Sequence, residues 1–297
     1  MYLSDVNNVL NNIEIRRDGV FEKLYLVGKP YKDGTEYLSF IGGVKYIDDF
    51  LKYKISSVIC TEEVASILSD RFNGGIAISS DPKKSFFEIH NYISEKNETR
   101  VPSKVSEKAI IDESAVIDKY GVTIGDNTQI LSNVRIKAGT TIGDNCIIRE
   151  NCVLGSPAFY YYGNGDEKKL VISSGGIVIK NNVELHTGIT VEKGVMDGDT
   201  IIGNNTKIDN NCLIGHDSVI GNNVTIAAGS TLAGGVYIGN GSFAGVGVTF
   251  APWVTCGKNS KMSAGAVVTR DVPDDTHVSG NFAIEHSKYL EHIKCIR

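Results

Sequence analysis

From Ile202 onward an apolar or small residue returns at every sixth position: Ile202, Ile208, Ile214, Ile220, Ile226, Leu232, Ile238, Ala244, Phe250, Cys256, Met262 and Val268. An earlier block keeps the same period through Ile124, Ile130, Ile136, Ile142, Ile148 and Leu154. Four places after the apolar residue comes a small or β-branched one, as at Thr206, Cys212, Ser218, Val224, Ser230 and Val236. Chance does not hold one phase over twelve hexads. A period of six fits neither the helical stripe nor the simple alternation of a half-buried strand. It fits a short strand and a sharp turn, with three such units closing one coil. Each coil then buries its apolar residues only against the coils on either side, as in any solenoid. Asn and Gly supply the tight-turn backbone, as in GNN at 203–205 and 221–223. The expectation is a parallel β-helix over 105–272.

Two stretches break the phase. SPAFYYYGNGDEKKLVISSGG (156–176) holds aromatics, then charges and glycines, and is expected to loop out of the helix. GVMDGDT (194–200) is the second break. Insertions into solenoids tend to land on one functional face. Residues 1–104 lack the repeat. LYLVG (24–28), YLSFIG (37–42), ISSVIC (55–60) and GIAISS (75–80) read as strands, and Phe87, Ile89 and Ile93 in KKSFFEIHNYIS have helical spacing. This is a small α/β domain, joined to the coils through RVPSKVSEKAIID (100–112). A tail, 273–297, is expected to hold a short helix in AIEHSKYLEHIKCI.

Charge and composition exclude several classes. The net charge is −5, with no basic stripe for a phosphate backbone, so nucleic acid is not an expected partner. No stretch has the apolar length of a membrane span, and MYLSDVNNVLNNIEIRR lacks the apolar core of a signal peptide. Six cysteines are scattered without a CxxC pair, as for free thiols in a cytoplasmic protein.

His216 stands out in IGHDSVIG (214–221). It lies two places after Ile214, at a turn, directed away from the packed interior. Most hexads fill this position with Asn, Ala, Gly or Asp. Asp217 follows at once and is able to orient an imidazole or stabilise its charge. Gly234 lies one coil on, so stacking brings it next to His216. A glycine there exposes a backbone N–H, as an oxyanion site needs. A base with such a donor beside it is an acyl-transfer constellation. No metal is required.

The stretch GHDSVIGNNVTIAAGSTLAGGVYIG resembles the active-site coils of left-handed β-helix acyltransferases, and the resemblance supplies the handedness. DTIIGNNTKIDNNCLIGHDSVIGNN is similar to the segment around the catalytic histidine of the LpxD family, N-acyltransferases of UDP-3-O-acylglucosamine in lipid A synthesis. In LSFIGGVKYIDDFLKYKISSVIC, Phe40 and Tyr46 match the two aromatics with which that family sandwiches uracil. Between them the family commonly has Asn-Pro. Here Gly43-Val44 stands instead, which leaves uracil and thymine both open. The family's long C-terminal helical extension is largely missing. SAGAVVTRDVPDDTHVSGN (263–281) instead resembles the last coil of CoA-dependent sugar acetyltransferases, and His216-Asp217 resembles the His-acid pair of N-acetyltransferases acting on nucleotide-linked 4-amino sugars.

Together the resemblances imply transfer of an acyl group to the amine of a nucleotide-linked amino sugar, for surface-glycan (O-antigen or capsule) synthesis. They imply acyl-CoA or acyl carrier protein as co-substrate, no permanently bound cofactor, and a homotrimer. LpxD proper is the alternative within the class, and a non-catalytic β-helix scaffold the alternative outside it. A β-helix carbonic anhydrase needs three zinc-binding histidines, and the repeat region holds only His186 and His216. Trp253, in the turn of a hexad, reads as a residue able to cover the groove, with packing ahead of catalysis. The Tyr160-Tyr161-Tyr162 run reads equally as a cover for the sugar or acyl chain or as packing of the loop onto a neighbouring subunit.

Overall fold

The structure is a computed structural model describing residues 1–26, 34–96, 101–280, 283 and 285–296. It divides into two compact units, residues 1–98 with 159–172, and residues 99–158 with 173–297.

The larger unit is a parallel β-helix with three sheets of nine, eight and eight strands. Most strands are two residues long, too short to stand alone. They persist because each pairs in register with the strands one coil before and after. Leu213–Ile214 aligns with Thr231–Leu232, and Thr231–Leu232 with Thr249–Phe250. The apolar column read from the sequence is the core: all twelve residues from Ile202 to Val268 are buried in one cluster that also contains Ile124, Ile130, Ile136 and Leu154. Full burial of one Ile or Leu side chain contributes roughly 1.5–3 kcal/mol.

The residue four places on is also buried, and in several coils its hydroxyl hooks adjacent coils together. Thr206 donates to Gly221 O at 2.8 Å, Ser218 to Ala233 O at 3.3 Å and Ser242 to Gly257 O at 2.9 Å. The chain turns between strands through a residue with positive φ, and across the β-helix that residue is nearly always Asn or Gly. The segment expected as a junction already forms coil: Lys104–Val105 and Ile110–Ile111 are the first strands of two sheets. At the other end His277–Val278 pairs with Lys261–Met262, and a helix follows at His286–Ile296.

Both breaks in the hexad phase leave the helix at one corner. The first follows Val153–Ser156 and the second follows Thr190–Glu192, which are neighbours in the same sheet. The next strand in that sheet, Leu213–Ile214, leads into His216.

The smaller unit is a five-stranded sheet in the order Glu14–Arg17, Gly75–Ile78, Ser57–Cys60, Tyr37–Ile41, Lys23–Leu24. The first strand runs antiparallel and the others parallel. Three of the four expected strands lie where the sequence puts them. The fourth, LYLVG, is strand at Leu24, and Val27 and Gly28 lie outside the described residues. Phe86, Phe87 and Ile89 of helix Pro82–Lys96 are buried.

Residues 159–172, expected only as a loop, belong to this unit. Tyr161–Tyr162 and Lys169–Leu170 pair as an antiparallel hairpin. Asn91 clamps it at two points, donating to Leu170 O and accepting from Ile172 N–H, both at 2.9 Å. Tyr162 stacks on Phe87, and Tyr160 packs against the same ring at a tilt. The tyrosine run thus packs in part, while Phe159 stays 82% exposed.

Candidate active site

The turn after Leu213–Ile214 reads Gly215-His216-Asp217-Ser218. Asp217 takes the positive-φ position, φ 59°, held by Asn or Gly in most other turns. Asp tolerates that conformation because its short polar side chain bonds locally. Here the bond is to the preceding residue: Asp217 Oδ2 lies 2.8 Å from His216 Nδ1. The two side chains are only 12% and 6% exposed. With the carboxylate accepting, Nδ1 carries the hydrogen and Nε2 presents its lone pair.

Nε2 faces Gly234. A β-carbon built on Gly234 falls 2.3 Å from that nitrogen, so any side chain there displaces the imidazole. The Ala233–Gly234 peptide is held from two sides. Ala233 O accepts from the Ser218 hydroxyl, and Gly234 O accepts from Trp253 N–H at 3.0 Å. In a trans peptide the C=O and the following N–H point in opposite directions. The Ala233 carbonyl turns to Ser218, so the Gly234 N–H turns the other way. No acceptor takes that N–H among the described residues. The structure therefore brings together His216, Asp217 and Gly234: an imidazole, a carboxylate bonded to it and a backbone N–H beside it.

Two contributors escaped the sequence reading. Glu192 Oε2 accepts the His216 backbone N–H at 3.1 Å, which fixes the main chain under the imidazole. It stands in the coil interrupted by the second insertion, so the 18-residue stacking arithmetic does not find it. That insertion also returns to the site, as Val195 N–H reaches Asp217 Oδ2 at 3.4 Å. The other contributor is Trp253, whose ring lies 6.5 Å from the His216 ring, centre to centre and edge to face.

The other proposed pair lies in the smaller unit. Phe40 is half-buried and packs against Phe86, ring centres 5.1 Å apart. Tyr46 ends the short helical turn Val44–Tyr46, is exposed, and has the Lys45 ammonium 4.9 Å from its ring centre. No ring contact joins Phe40 to Tyr46 among the described residues.

No rival nucleophile stands out among the buried thiols. Burial pushes Cys60 up to about 12 and Cys152 and Cys256 up to about 11, so these remain protonated at neutral pH. His186 sits in a separate ion cluster, 3.3 Å from Glu184, which also takes Arg149. No group of three metal-ligating side chains occurs among the described residues. No helix among them is long and apolar enough to cross a membrane.

Residues 121–156 and 199–234 match the family described as bacterial transferase hexapeptide, six repeats. The coils carry the bacterial transferase hexapeptide repeat. The second matched stretch ends on Gly234 and contains His216 and Asp217. No curated protein sequence matches the chain. Among solved structures, the UDP-N-acetylglucosamine acyltransferase of Campylobacter jejuni aligns with a TM-score of 0.50 and 23% identity, over 65% of this chain and 83% of that one. It shares the fold. The UDP-N-acetylglucosamine acyltransferase of Francisella novicida aligns with a TM-score of 0.49 and 28% identity, over 64% and 71%. The acetyltransferase domain of PglB from Neisseria gonorrhoeae, solved with acetyl coenzyme A, aligns with a TM-score of 0.27 and 16% identity, over 83% and 97%.

Proposed function

We propose that the protein is an N-acyltransferase moving an acyl group from a thioester, acyl-CoA or acyl carrier protein, to the amine of a nucleotide-linked amino sugar for surface-glycan synthesis. The observation that carries this reading is the 2.8 Å His216–Asp217 pair with Nε2 aimed at Gly234. The neutral amine attacks the thioester carbonyl carbon while His216 Nε2 takes a proton from the attacking nitrogen. Charge develops on the carbonyl oxygen, and the outward Gly234 N–H donates to it. The carbon–sulfur bond then breaks. The sulfur leaves as thiol after receiving the proton from the imidazolium, and an amide remains on the sugar. Asp217 keeps the imidazole in one tautomer and balances its transient charge.

The smaller unit is the natural seat for the nucleotide, with Phe40 and Tyr46 as its aromatic contacts. A homotrimer in the cytoplasm fits the outward apolar residues on the coils, Phe243, Val246 and Val267, each more than 40% exposed.

A thiol-release assay tests the reading. Donors are acetyl-CoA, a 3-hydroxyacyl-CoA and 3-hydroxyacyl carrier protein. Acceptors are UDP- and dTDP-linked amino sugars. Release that depends on an amino-sugar acceptor and is lost in His216→Ala supports it. Release only from the carrier protein with UDP-3-O-acylglucosamine assigns the LpxD reaction instead. Silence with every pair leaves the scaffold reading.

A further inference from the structure

Trp253 occupies a backbone position that a bulky side chain avoids. Its φ is +63°, and the other non-glycine residues with positive φ in the described chain are all Asn or Asp. An aromatic residue held in the left-handed region is an outlier that the surroundings must support. The support is visible. Trp253 N–H is tied to Gly234 O, and the indole lies over Gly235 so closely that a β-carbon there falls 2.1 Å from Trp253 Cε3. Gly235 is itself at φ +73°. Consecutive glycines therefore make one bay: Gly234 admits the imidazole and Gly235 admits the indole. The indole is still 54% exposed, so its burial alone does not account for the strained backbone.

We infer that Trp253 is a specificity-determining residue that closes this bay and confines the transferred acyl group to a short chain, of the acetyl class. The inference rests on the acyl-transfer reading above and adds the acyl length to it. The thioester oxygen belongs at the Gly234 N–H, so the acyl substituent lies beside Gly234 and Gly235. Along the corner of the prism, toward higher residue numbers, the next surface is the indole. A carbon placed between two rings needs about 3.5–4 Å to each, roughly 7–8 Å in all. The imidazole and indole centres are 6.5 Å apart, so an alkyl chain does not pass between them. An acetyl group ends within the bay, and a longer chain meets the indole.

The experiment compares acetyl-, butyryl- and octanoyl-CoA as donors for the wild type, Trp253→Asn and Trp253→Gly, reading kcat/KM by thiol release in the presence of amino-sugar acceptor. Asn and Gly are the residues used at this turn position elsewhere in the β-helix, so both variants suit the local backbone, and far-UV circular dichroism checks that each is folded. The expected result is a wild type at least a hundredfold better with acetyl than octanoyl donor, and variants in which that ratio falls at least tenfold. A wild type that uses octanoyl-CoA as well as acetyl-CoA, or folded variants with an unchanged ratio, overturns the assignment of Trp253 while leaving acyl transfer standing. Absence of thiol release from every CoA donor with the wild type overturns the assignment of an acetyl-class donor, and silence from acyl carrier protein donors as well overturns the acyl-transfer reading itself.

Discussion

Two corners of the same β-helix do different things with the same turn. At the ordinary corner after Ile202, Ile220 and Ile238, asparagines stack coil on coil. Asn222 Oδ1 accepts from Asn204 N–H and Asn240 Oδ1 accepts from Asn222 N–H, each at 2.7 Å, while the Asn205 amide donates to Asn223 at 2.8 Å. Every polar group there closes a turn. At the corner after Ile214, Leu232 and Phe250, the positive-φ positions hold Asp217, Gly235 and Trp253. None of these continues a side-chain ladder, although the backbone N–H of Gly235 and of Trp253 still reaches the preceding coil. Asp217 spends its carboxylate on His216, and Gly235 lies under the Trp253 ring. Both insertions also leave from this corner. The lesson is that the repeat tolerates departure where neighbouring coils over-determine the backbone, and the candidate site sits on the departure.

That contrast breaks most sharply at Gly234. Gly234→Ala drives a methyl into the imidazole, and thiol release is expected to fall on the order of 10²–10⁴-fold, as for a displaced general base. A steady-state assay on folded protein checks it, and activity within threefold of wild type removes Gly234 from the site.

Asp217→Asn comes next. It installs the residue that other turns already use, so thermal stability should hold. Catalysis should drop on the order of 10²-fold through a misoriented imidazole. A loss of stability with activity retained makes Asp217 a turn residue only.

The ordinary corner supplies the control. Asn222→Ala leaves the Asn204 N–H without its partner and should cost about 1 kcal/mol, with thiol release unaltered. Chemical denaturation beside the activity assay reads both quantities, and lost activity at unchanged stability contradicts the division between corners.

The smallest effect concerns pH. Burial pushes the Glu184 carboxyl up, but the bond and charge of Arg149 outweigh it and hold the group below its ordinary value. A depressed folded value contributes stability above the unfolded pKa of about 4.3 and loses it as pH falls through the folded value. Arg149→Met should therefore narrow the stability difference between pH 7 and pH 3, as urea midpoints will show. An unchanged difference removes this pair from the acid limb.

Much of the fold was legible because a six-residue period admits few solutions, and the buried column from Ile202 to Val268 is the one the spacing names. His216, Asp217 and Gly234 were legible for the same reason, since one coil is a fixed number of residues. Glu192 was not, because an insertion separates its coil from that of His216. Trp253 was legible as a turn residue that packs, but not that its ring reaches back over Gly235 beside His216, which depends on a rotamer and not on spacing. Nor did the sequence show that 159–172 packs against helix Pro82–Lys96, since that contact joins segments far apart in the chain. Phe40 and Tyr46 were legible only through resemblance. In the structure one ring packs on Phe86 and the other is exposed.

The most direct test is the pre-steady-state rate of amide formation in wild type and His216→Asn, with acetyl-CoA and a nucleotide-linked amino sugar both saturating. Matched circular dichroism spectra establish equal folding. The account predicts a rate lower by on the order of 10²–10⁴-fold in the variant, the span for loss of a general base. A variant within threefold of wild type would contradict the assignment of His216 as the base.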